Sequence, residues 1–296
     1  MSANSEVSAD HVHGHFDGTL APVAVVEQGE IFALQTVSLP TGDSELPPHV
    51  VDSLLVPVTG PVAVRGLQPG DVVRIEIVGI DIADRGAIVT MPGYGAFVPP
   101  LRPSYRVVPI RKERVHFDES ITLPIDPMVG KLGVGVADGP PASSTVGLHG
   151  GNMDNKALRV GSVLYLPVFV DGALVFAGDL HARQGDGEVC LSAVEVAGKV
   201  TLRCRKASHN IPLGAPIVTS DGVVMTLGDG RSLDAAAEVA LTAMLDLVVR
   251  AHNWPREKAA MFLSIAGDVG VCQLVNPRVG AKVSLPLEYF PPSFFE

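Results

Sequence analysis

The chain has 296 residues, of which 47% are hydrophobic and 18% are charged, and its formal net charge is −10. This composition predicts a folded globular protein of one or two domains. The acidic balance argues against nucleic acid or an anionic membrane as a partner, because both attract basic surfaces. The widely spaced cysteines argue against a disulfide framework or a zinc finger. Neither a secretory signal nor an apolar run of about 20 residues is visible, so we expect a cytoplasmic protein.

The first two thirds of the chain predict a mainly β protein. Its 31 glycines and 24 prolines separate short apolar runs, as is typical of many short strands joined by tight turns. Residues 72–77 alternate between apolar and polar side chains, which indicates a strand with one buried face. We predict a β-sandwich or barrel body of many short strands. Residues 1–10 are expected to form a frayed tail.

The sequence pattern changes in the C-terminal part of the chain, where it predicts a small α+β element. Ser232 is a suitable N-cap for a helix that runs to His252, and Pro255 is suited to the start of a second helix. The chain then divides into three predicted parts: an N-terminal β-sandwich part at 1–110, a β-barrel-like part at 111–228, and the α+β part at 229–296.

Polar residues with strand spacing are concentrated between His149 and Glu195. Residues two apart on a strand face the same side, and three pairs have that spacing: Asn152 with Asp154, Asp179 with His181, and Asp186 with Glu188. The pairs could converge on one centre. Asp186 lies between two glycines, which favours a turn former over a ligand.

Two further segments are candidates for the site. His11, His13 and His15 are spaced by two residues, so one face of a strand would present all three to a metal. Whether this triplet reaches the central stretch is open, and a polar edge near the terminus is the alternative. Tyr94 lies in a loop rich in glycine and proline, which suits either a pocket wall or a simple connection.

Several motifs resemble the acetamidase/formamidase family of amide hydrolases, and the resemblance spans nearly the whole chain. The segments that carry it are Gly60-Pro-Val-Ala-Val, Pro69-Gly-Asp71, Gly150-Gly-Asn-Met-Asp154, Leu166-Pro-Val, Gly172-Ala, Gly178-Asp-Leu-His181, Gln184-Gly-Asp-Gly-Glu188, Glu257-Lys-Ala-Ala-Met, and Ser264-Ile-Ala-Gly-Asp268.

The resemblance implies a mostly β fold, hydrolysis of short carboxamides and a bound metal, with zinc as the expected ion. One departure concerns the segment before Gly130. Where relatives often have His-Pro, this chain has Asp126-Pro127. If that histidine shapes the family's site, the substrate or the geometry here differs from that for acetamide or formamide.

Amide hydrolysis needs a nucleophile, a group that polarises the carbonyl, and a proton donor for the leaving nitrogen. A metal held by three protein ligands supplies the first two. We expect Asp154, Asp179 and His181 to be the ligands and Glu188 to be the general base and acid.

The remaining polar groups have predicted roles around this centre. His149 could donate a proton to the carbonyl oxygen or the amine. Asn152 and the neighbouring Gly151 are expected to hold the substrate amide. Glu195 could orient His181 or be a half-buried strand residue.

Three other functions are alternatives to a metal-dependent amidase. A Cys-dependent amidase would use Cys190 with Glu188 and a lysine, Lys131 or Lys156, but that fold alternates strands and helices. A Ser-Ser-Lys amidase would use Ser143 and Ser144, but it needs a helical core. A non-enzymatic β-sandwich with a structural calcium is a third alternative, although calcium prefers six to eight oxygen ligands.

The expected partners are a small neutral amide or small lactam and further copies of this chain. Long apolar strands and the apolar C-terminus predict a homo-oligomer, a dimer or larger.

Overall fold

The computed structural model describes residue 3 and residues 5–41, 56–207 and 211–295. Strands account for 43% of the described residues and helices for 12%, so the predicted mainly β class is confirmed. The strands are β1 Ser5–Val7, β2 Val12–His13, β3 Ala24–Val26, β4 Ile31–Thr36, β5 Val58–Val64, β6 Val72–Ile82, β7 Arg85–Thr90, β8 Ser104–Arg111, β9 Arg114–His116, β10 Thr122–Pro124, β11 Met128–Val134, β12 Val146–Gly147, β13 Gly150–Asn152, β14 Val163–Pro167, β15 Val175–His181, β16 Glu195–Val196, β17 Gly198–Lys206, β18 Ile217–Ser220, β19 Val223–Gly230, β20 Asp268–Gln273 and β21 Val279–Pro286.

The described strands form two sheets, and neither closes into a barrel. The first sheet has the order β1-β4-β17-β6-β14-β18-β19-β21-β20. The second has the order β10-β9-β8-β7-β16-β15-β11-β13-β12, and β5 joins it by pairing with β15, β2 and β3. Strands from all three predicted parts contribute to the first sheet, and the division at residues 110 and 228 stays a prediction.

The main core lies between the two sheets. Ile75 and Leu202 of the first sheet belong to the same buried cluster as Leu132 and Val175 of the second. Strand β6 begins with alternate residues buried, as its sequence predicts, whereas every residue of β11 and β15 is buried. A strand buried on both faces places any polar side chain it carries inside the protein. Polar groups on β11 and β15 therefore need partners in the core.

The N-terminal segment differs from its prediction. Residues Ser5–Val7 form a strand that pairs in parallel with β4, and Val7 is buried. The expected frayed tail is therefore wrong for residues 5–7, because an apolar side chain and an available sheet edge order them. Residues 1, 2 and 4 of the predicted tail lie outside the described residues.

Two helices follow the β body in the described chain, α1 Leu233–His252 and α2 Arg256–Ala266, with a short 3-10 turn at Leu287–Tyr289. The Ser232 hydroxyl accepts a hydrogen bond from the Ala235 amide, which confirms the predicted N-cap. Helix α1 packs its buried face on β19 and β21. Neither helix has the length and apolar character needed to cross a membrane.

Close packing of α1 on the sheet depends on Gly228 of β19. A Cβ atom at this position would collide with the Ala236 carbonyl oxygen and lie 2.6 Å from the Ala240 nitrogen. We expect Gly228→Ala to lower the free energy of unfolding by about 1–3 kcal/mol, because backbone atoms would have to move apart. Urea unfolding measures this change.

Gly214 provides a matched control for that substitution. A Cβ atom there would meet nothing closer than 3.8 Å, at Ala243. Gly214→Ala should therefore be close to neutral. Equal stability of the two variants would contradict the packing of α1 on β19.

Candidate active site

The central polar residues meet where β11, β13, β15 and β16 lie side by side in the second sheet. Lys131 of β11 is directly opposite Asn152 of β13, and cross-strand partners face the same side of a sheet. His181 at the end of β15 is opposite Glu195 of β16. Sheet register therefore brings together residues that are far apart in sequence.

Every buried Asp, Glu and Lys of the described residues belongs to this one cluster, which comprises Lys131, Asp154, Asp179, Glu188 and Glu195. All five line one pocket with a cavity volume of about 50 Å³, together with Leu39, Val56, Asn152, Leu191, Ser192 and Asn276. Buried charges are costly unless they are paired or coordinate a metal. If all four acids are ionised, their charge exceeds that of the lysine, so protons or a cation must offset the difference.

Three of the acids lie on unusual backbone. Asp154, Asp179 and Glu188 have φ angles of 42°, 58° and 47°. Residues other than glycine seldom adopt this left-handed region, and such strain is concentrated at functional sites. At Asp179 it interrupts the regular course of β15. The backbone is thus held in an unfavourable conformation at three carboxylates of one pocket.

His181 is oriented by Gln184. The Nδ1 atom of His181 lies 2.8 Å from Oε1 of Gln184, whose Nε2 donates to the Asp154 carbonyl oxygen at 2.7 Å. Because Oε1 of Gln184 can only accept, Nδ1 of His181 carries a proton. The other ring nitrogen, Nε2, faces the carboxylates.

The Nε2 atom of His181 occupies a position that requires positive charge. It lies 3.2 Å from Oε2 of Glu195 and 3.8 Å from Oδ1 of Asp179, yet it has no hydrogen-bond partner. Burial alone lowers the pKa of His181, but Glu195 and Asp179 outweigh burial and raise the pKa well above its usual value. Either a second proton or a metal ion on Nε2 would relieve the repulsion with these oxygens.

Asp179 is paired with Lys131. The Lys131 ammonium lies 3.4 Å from Oδ2 of Asp179 and donates to the Val56 carbonyl oxygen at 2.7 Å. Burial acts to raise the pKa of Asp179, but Lys131 and His181 hold it below its usual value. Asp179 is therefore ionised at neutral pH.

Asp154 and Glu188 have unfilled hydrogen-bonding capacity. Oδ2 of Asp154 accepts from Nδ2 of Asn276 at 3.2 Å, whereas Oδ1 is buried and has no partner. Burial, reinforced by the Asp179 charge, raises the pKa of Asp154 above its ordinary value. Burial and then the Asp154 charge likewise raise the pKa of Glu188 well above its usual range.

The donor set fits a divalent cation. Ligand atoms of Asp154, His181 and Glu188 lie within 4.8 Å of one another, as do those of Asp179, His181 and Glu195. A Cβ atom at Gly130 would lie 2.7 Å from Oδ1 of Asp154 and 3.1 Å from Oδ2 of Asp179, so only glycine lets both carboxylates approach here. Carboxylates and one imidazole are ligands that zinc accepts. Since Nδ1 of His181 already contacts Gln184, Nε2 is the ring nitrogen left to act as a ligand.

Three residues predicted for the site lie outside the pocket lining. His149 is buried, and its ring centre lies 5.0 Å from that of Phe16. Gly151 is next to this ring, since a Cβ atom added at Gly151 would lie 2.6 Å from Nε2 of His149. Tyr94 is 47% exposed. Their roles in catalysis and substrate binding stay predictions.

The sequence predicts no role in the metal-dependent mechanism for three residues that line the pocket or orient its side chains. Lys131 has a predicted role only in the Cys-dependent alternative, although a lysine within an apolar strand is itself a signal. Gln184 was recognised only as part of a motif. Asn276 follows β20 and lies 122 residues from Asp154, so no local pattern could connect the two.

The other sequence candidates do not reach this centre. Among the described residues, neither group of closely spaced ligand-type side chains includes His11, His13 or His15. Cys190 is partly buried and does not line the pocket with Lys131. Asp186 forms ion pairs at 3.0 Å with Lys156 and with Lys282, outside both ligand groups.

The fold and the pocket define a mostly β protein with one buried centre of acids, an imidazole and a lysine, and known proteins share this fold. An acetamidase structure from Bacillus halodurans matches with 36% identity and a TM-score of 0.91, covering 96% of this chain and 98% of that chain. A structure of a recombinant predicted acetamidase/formamidase from Thermoanaerobacter tengcongensis matches with 35% identity and a TM-score of 0.88, covering 95% of both chains.

Sequence comparison leads to the same family. The acetamidase/formamidase family profile matches residues 141–290. A formamidase from Methylophilus methylotrophus is 46% identical over 56 residues, which are 19% of this chain and 14% of that protein. Such local matches span 14–16% of the length of the curated relatives. The profile and the full-length structural matches show that this chain belongs to the acetamidase/formamidase family.

Burial of His149 makes stability depend on pH. Burial lowers the pKa of His149 to about 4, from an ordinary value of 6.5. Between these values the unfolded chain binds a proton that the folded chain excludes, so stability falls as pH decreases through this window. We expect the stability of the wild type relative to His149→Gln to fall by about 2 kcal/mol between pH 7 and pH 5.

Urea unfolding of both proteins at the two pH values measures this difference, and other titrating groups cancel in the comparison. A difference that does not change with pH would contradict the buried, neutral state of His149.

Proposed function

We propose that this protein hydrolyses a small neutral carboxamide to the carboxylate and ammonia or an amine, with the help of one divalent cation. Family membership supports the reaction class. The observation that carries the proposal is the pair of buried, unpaired atoms, Oδ1 of Asp154 and Nε2 of His181, beside the unpaired carboxylate of Glu188. A pocket with these groups can bind a cation and move a proton.

The pocket supports a small substrate with an N–H donor. Its cavity volume is about 50 Å³, which suits a molecule of few atoms. The Oδ1 atom of Asn152 is buried and has no hydrogen-bond partner in the described residues. An amide nitrogen of the substrate can donate to this oxygen, which would satisfy both groups. Acetamide, formamide and small lactams are the amides to test first.

We assign the cation to Asp154, Asp179 and His181, and we expect zinc. Each of these two carboxylates belongs to one of the two ligand groups that share His181. When bound there, such an ion acts as a Lewis acid that polarises a carbonyl and lowers the pKa of water. Gln184 keeps the proton of His181 on Nδ1, so that Nε2 is free to act as a ligand. Gly130 gives the two carboxylates room to approach the same point.

Glu188 is the proton carrier in this scheme. Its hydrogen bonds in the described residues are made by backbone atoms, to Gly185 and Leu191, and not by its carboxyl group. Burial raises the pKa of that carboxyl group. Such a carboxylate can accept a proton from the attacking water and then donate that proton to the leaving nitrogen as the C–N bond breaks. The hydroxyl oxygen stays on the carbonyl carbon, and the products are the carboxylate and the amine.

Lys131 contributes positive charge to the same pocket. Two of its three donor positions are directed to Val56 and Asp179, and the side chain lines the pocket. Negative charge develops on the carbonyl oxygen during attack on an amide, and a buried ammonium group stabilises such charge strongly. Lys131 is therefore suited to hold the carbonyl oxygen.

Metal removal tests the proposed function directly. We expect the purified protein to contain about one zinc per chain by elemental analysis, because one imidazole nitrogen is available. Ammonia release from a panel of acetamide, formamide and longer primary amides should stop after chelation and return when zinc is added. Bound calcium without turnover of any amide would contradict the proposal and support a structural cation instead.

Substitution of Glu188 tests its role. We expect Glu188→Gln to lower kcat by about 10²- to 10⁴-fold, because the amide cannot accept and return the proton, while zinc stays bound. Ammonia release and elemental analysis of the same sample measure the two effects. Glu119→Gln, on an exposed turn, is the control and should be fully active. Full activity of Glu188→Gln would exclude Glu188 as the proton carrier. Loss of zinc from this variant would show that Glu188 is a metal ligand.

A further inference from the structure

The turn at residues 274–278, between β20 and β21, is held in place by one buried side chain. Gln273 is fully buried, and its Oε1 accepts from the amides of Val275 at 2.9 Å and Asn276 at 3.0 Å. Its Nε2 donates to the Arg278 carbonyl oxygen at 2.7 Å. One side chain therefore satisfies backbone groups near both ends of the turn, which fixes its conformation.

The same strand end also holds the loop that carries Glu188. The Gly187 amide donates to the Cys272 carbonyl oxygen, and the Leu274 amide donates to the Gly187 carbonyl oxygen, both at 2.9 Å. The C-terminal α+β part is thus connected by hydrogen bonds to the backbone next to Glu188. A displacement of this strand end would therefore displace the backbone next to Glu188 in the pocket.

Asn276 reaches from this turn into the pocket. Its Nδ2 donates to Oδ2 of Asp154 at 3.2 Å, and its side chain lines the pocket. With Oδ2 engaged, the unpaired atom of Asp154 is Oδ1, which is buried on the same side as Gly130.

We propose that Asn276 is a positioning residue for the cation site, which it serves by holding Asp154 with Oδ1 turned toward the ion, and that Gln273 positions Asn276. This inference rests on the proposed function, because it requires a cation at Asp154. Side chains that hydrogen-bond a metal ligand fix its orientation and its charge. The C-terminal part would then complete the site in addition to packing against the β body.

Zinc affinity tests the inference without relying on turnover. The apo proteins are titrated with zinc in competition with a chelator of known affinity. We expect Asn276→Leu, which keeps the side-chain size but removes the donor, to bind zinc about 10- to 100-fold more weakly than the wild type. Asn276→Ala should show the same loss, so that the result does not depend on whether leucine fits. Val275→Ala, in the same turn, is the control and should bind within about threefold of the wild type.

Turnover at different zinc concentrations distinguishes a role in positioning the cation site from a role in stability alone. Turnover of Asn276→Leu should be low at limiting zinc and should recover in excess zinc, whereas Glu188→Gln should not recover. Equal zinc affinity of the wild type and both Asn276 variants would overturn the inference while leaving the proposed function intact. Absence of zinc binding by the wild type would overturn the cation site itself and the inference with it.

Discussion

Mutual repulsion among buried carboxylates is the constraint on which the rest of the structure depends. At an effective dielectric constant of 20, two unit charges about 5 Å apart repel by about 3 kcal/mol, and ligand oxygens of this pocket lie within 4.8 Å of one another. Desolvation adds to that cost. Such a cluster persists only if positive charge and oriented donors offset it. Part of this compensation comes from the positive charge of Lys131, the imidazole of His181 and the amide donor of Asn276. A divalent cation would supply the remaining positive charge.

The β scaffold meets this constraint by fixing where each charge lies. Sheet register sets Lys131, Asn152, His181 and Glu195 on neighbouring strands, and backbone hydrogen bonds prevent these strands from sliding apart. Left-handed backbone at Asp154, Asp179 and Glu188 then turns carboxylates toward a common point. Strain of this kind is sustained only because the surrounding core is closely packed. The stability of the fold therefore maintains a pocket that would be unfavourable by itself.

Local patterns predicted much of the fold. Alternating residues predicted the start of β6, and the cap at Ser232 predicted α1, because these signals depend on near neighbours. The pairing order of the sheets was not predictable, since β14 joins β6 and β18 through contacts between distant residues. The parallel pairing of β1 with β4 was missed for the same reason. A strand of three residues has too short a pattern to reveal its partner.

The sequence by itself determined the mainly β class, the C-terminal helices, the resemblance to one family and the short stretch in which Asp154, Asp179, His181 and Glu188 lie. Strand spacing, turn residues and motifs are properties of adjacent residues, so they can be read without a fold. Only the tertiary structure decided that Lys131 and Asn276 belong to the same pocket and that His149 and Tyr94 do not line it. Charge, burial and hydrogen bonding at a site arise from contacts across the sheet, and no local pattern specifies them.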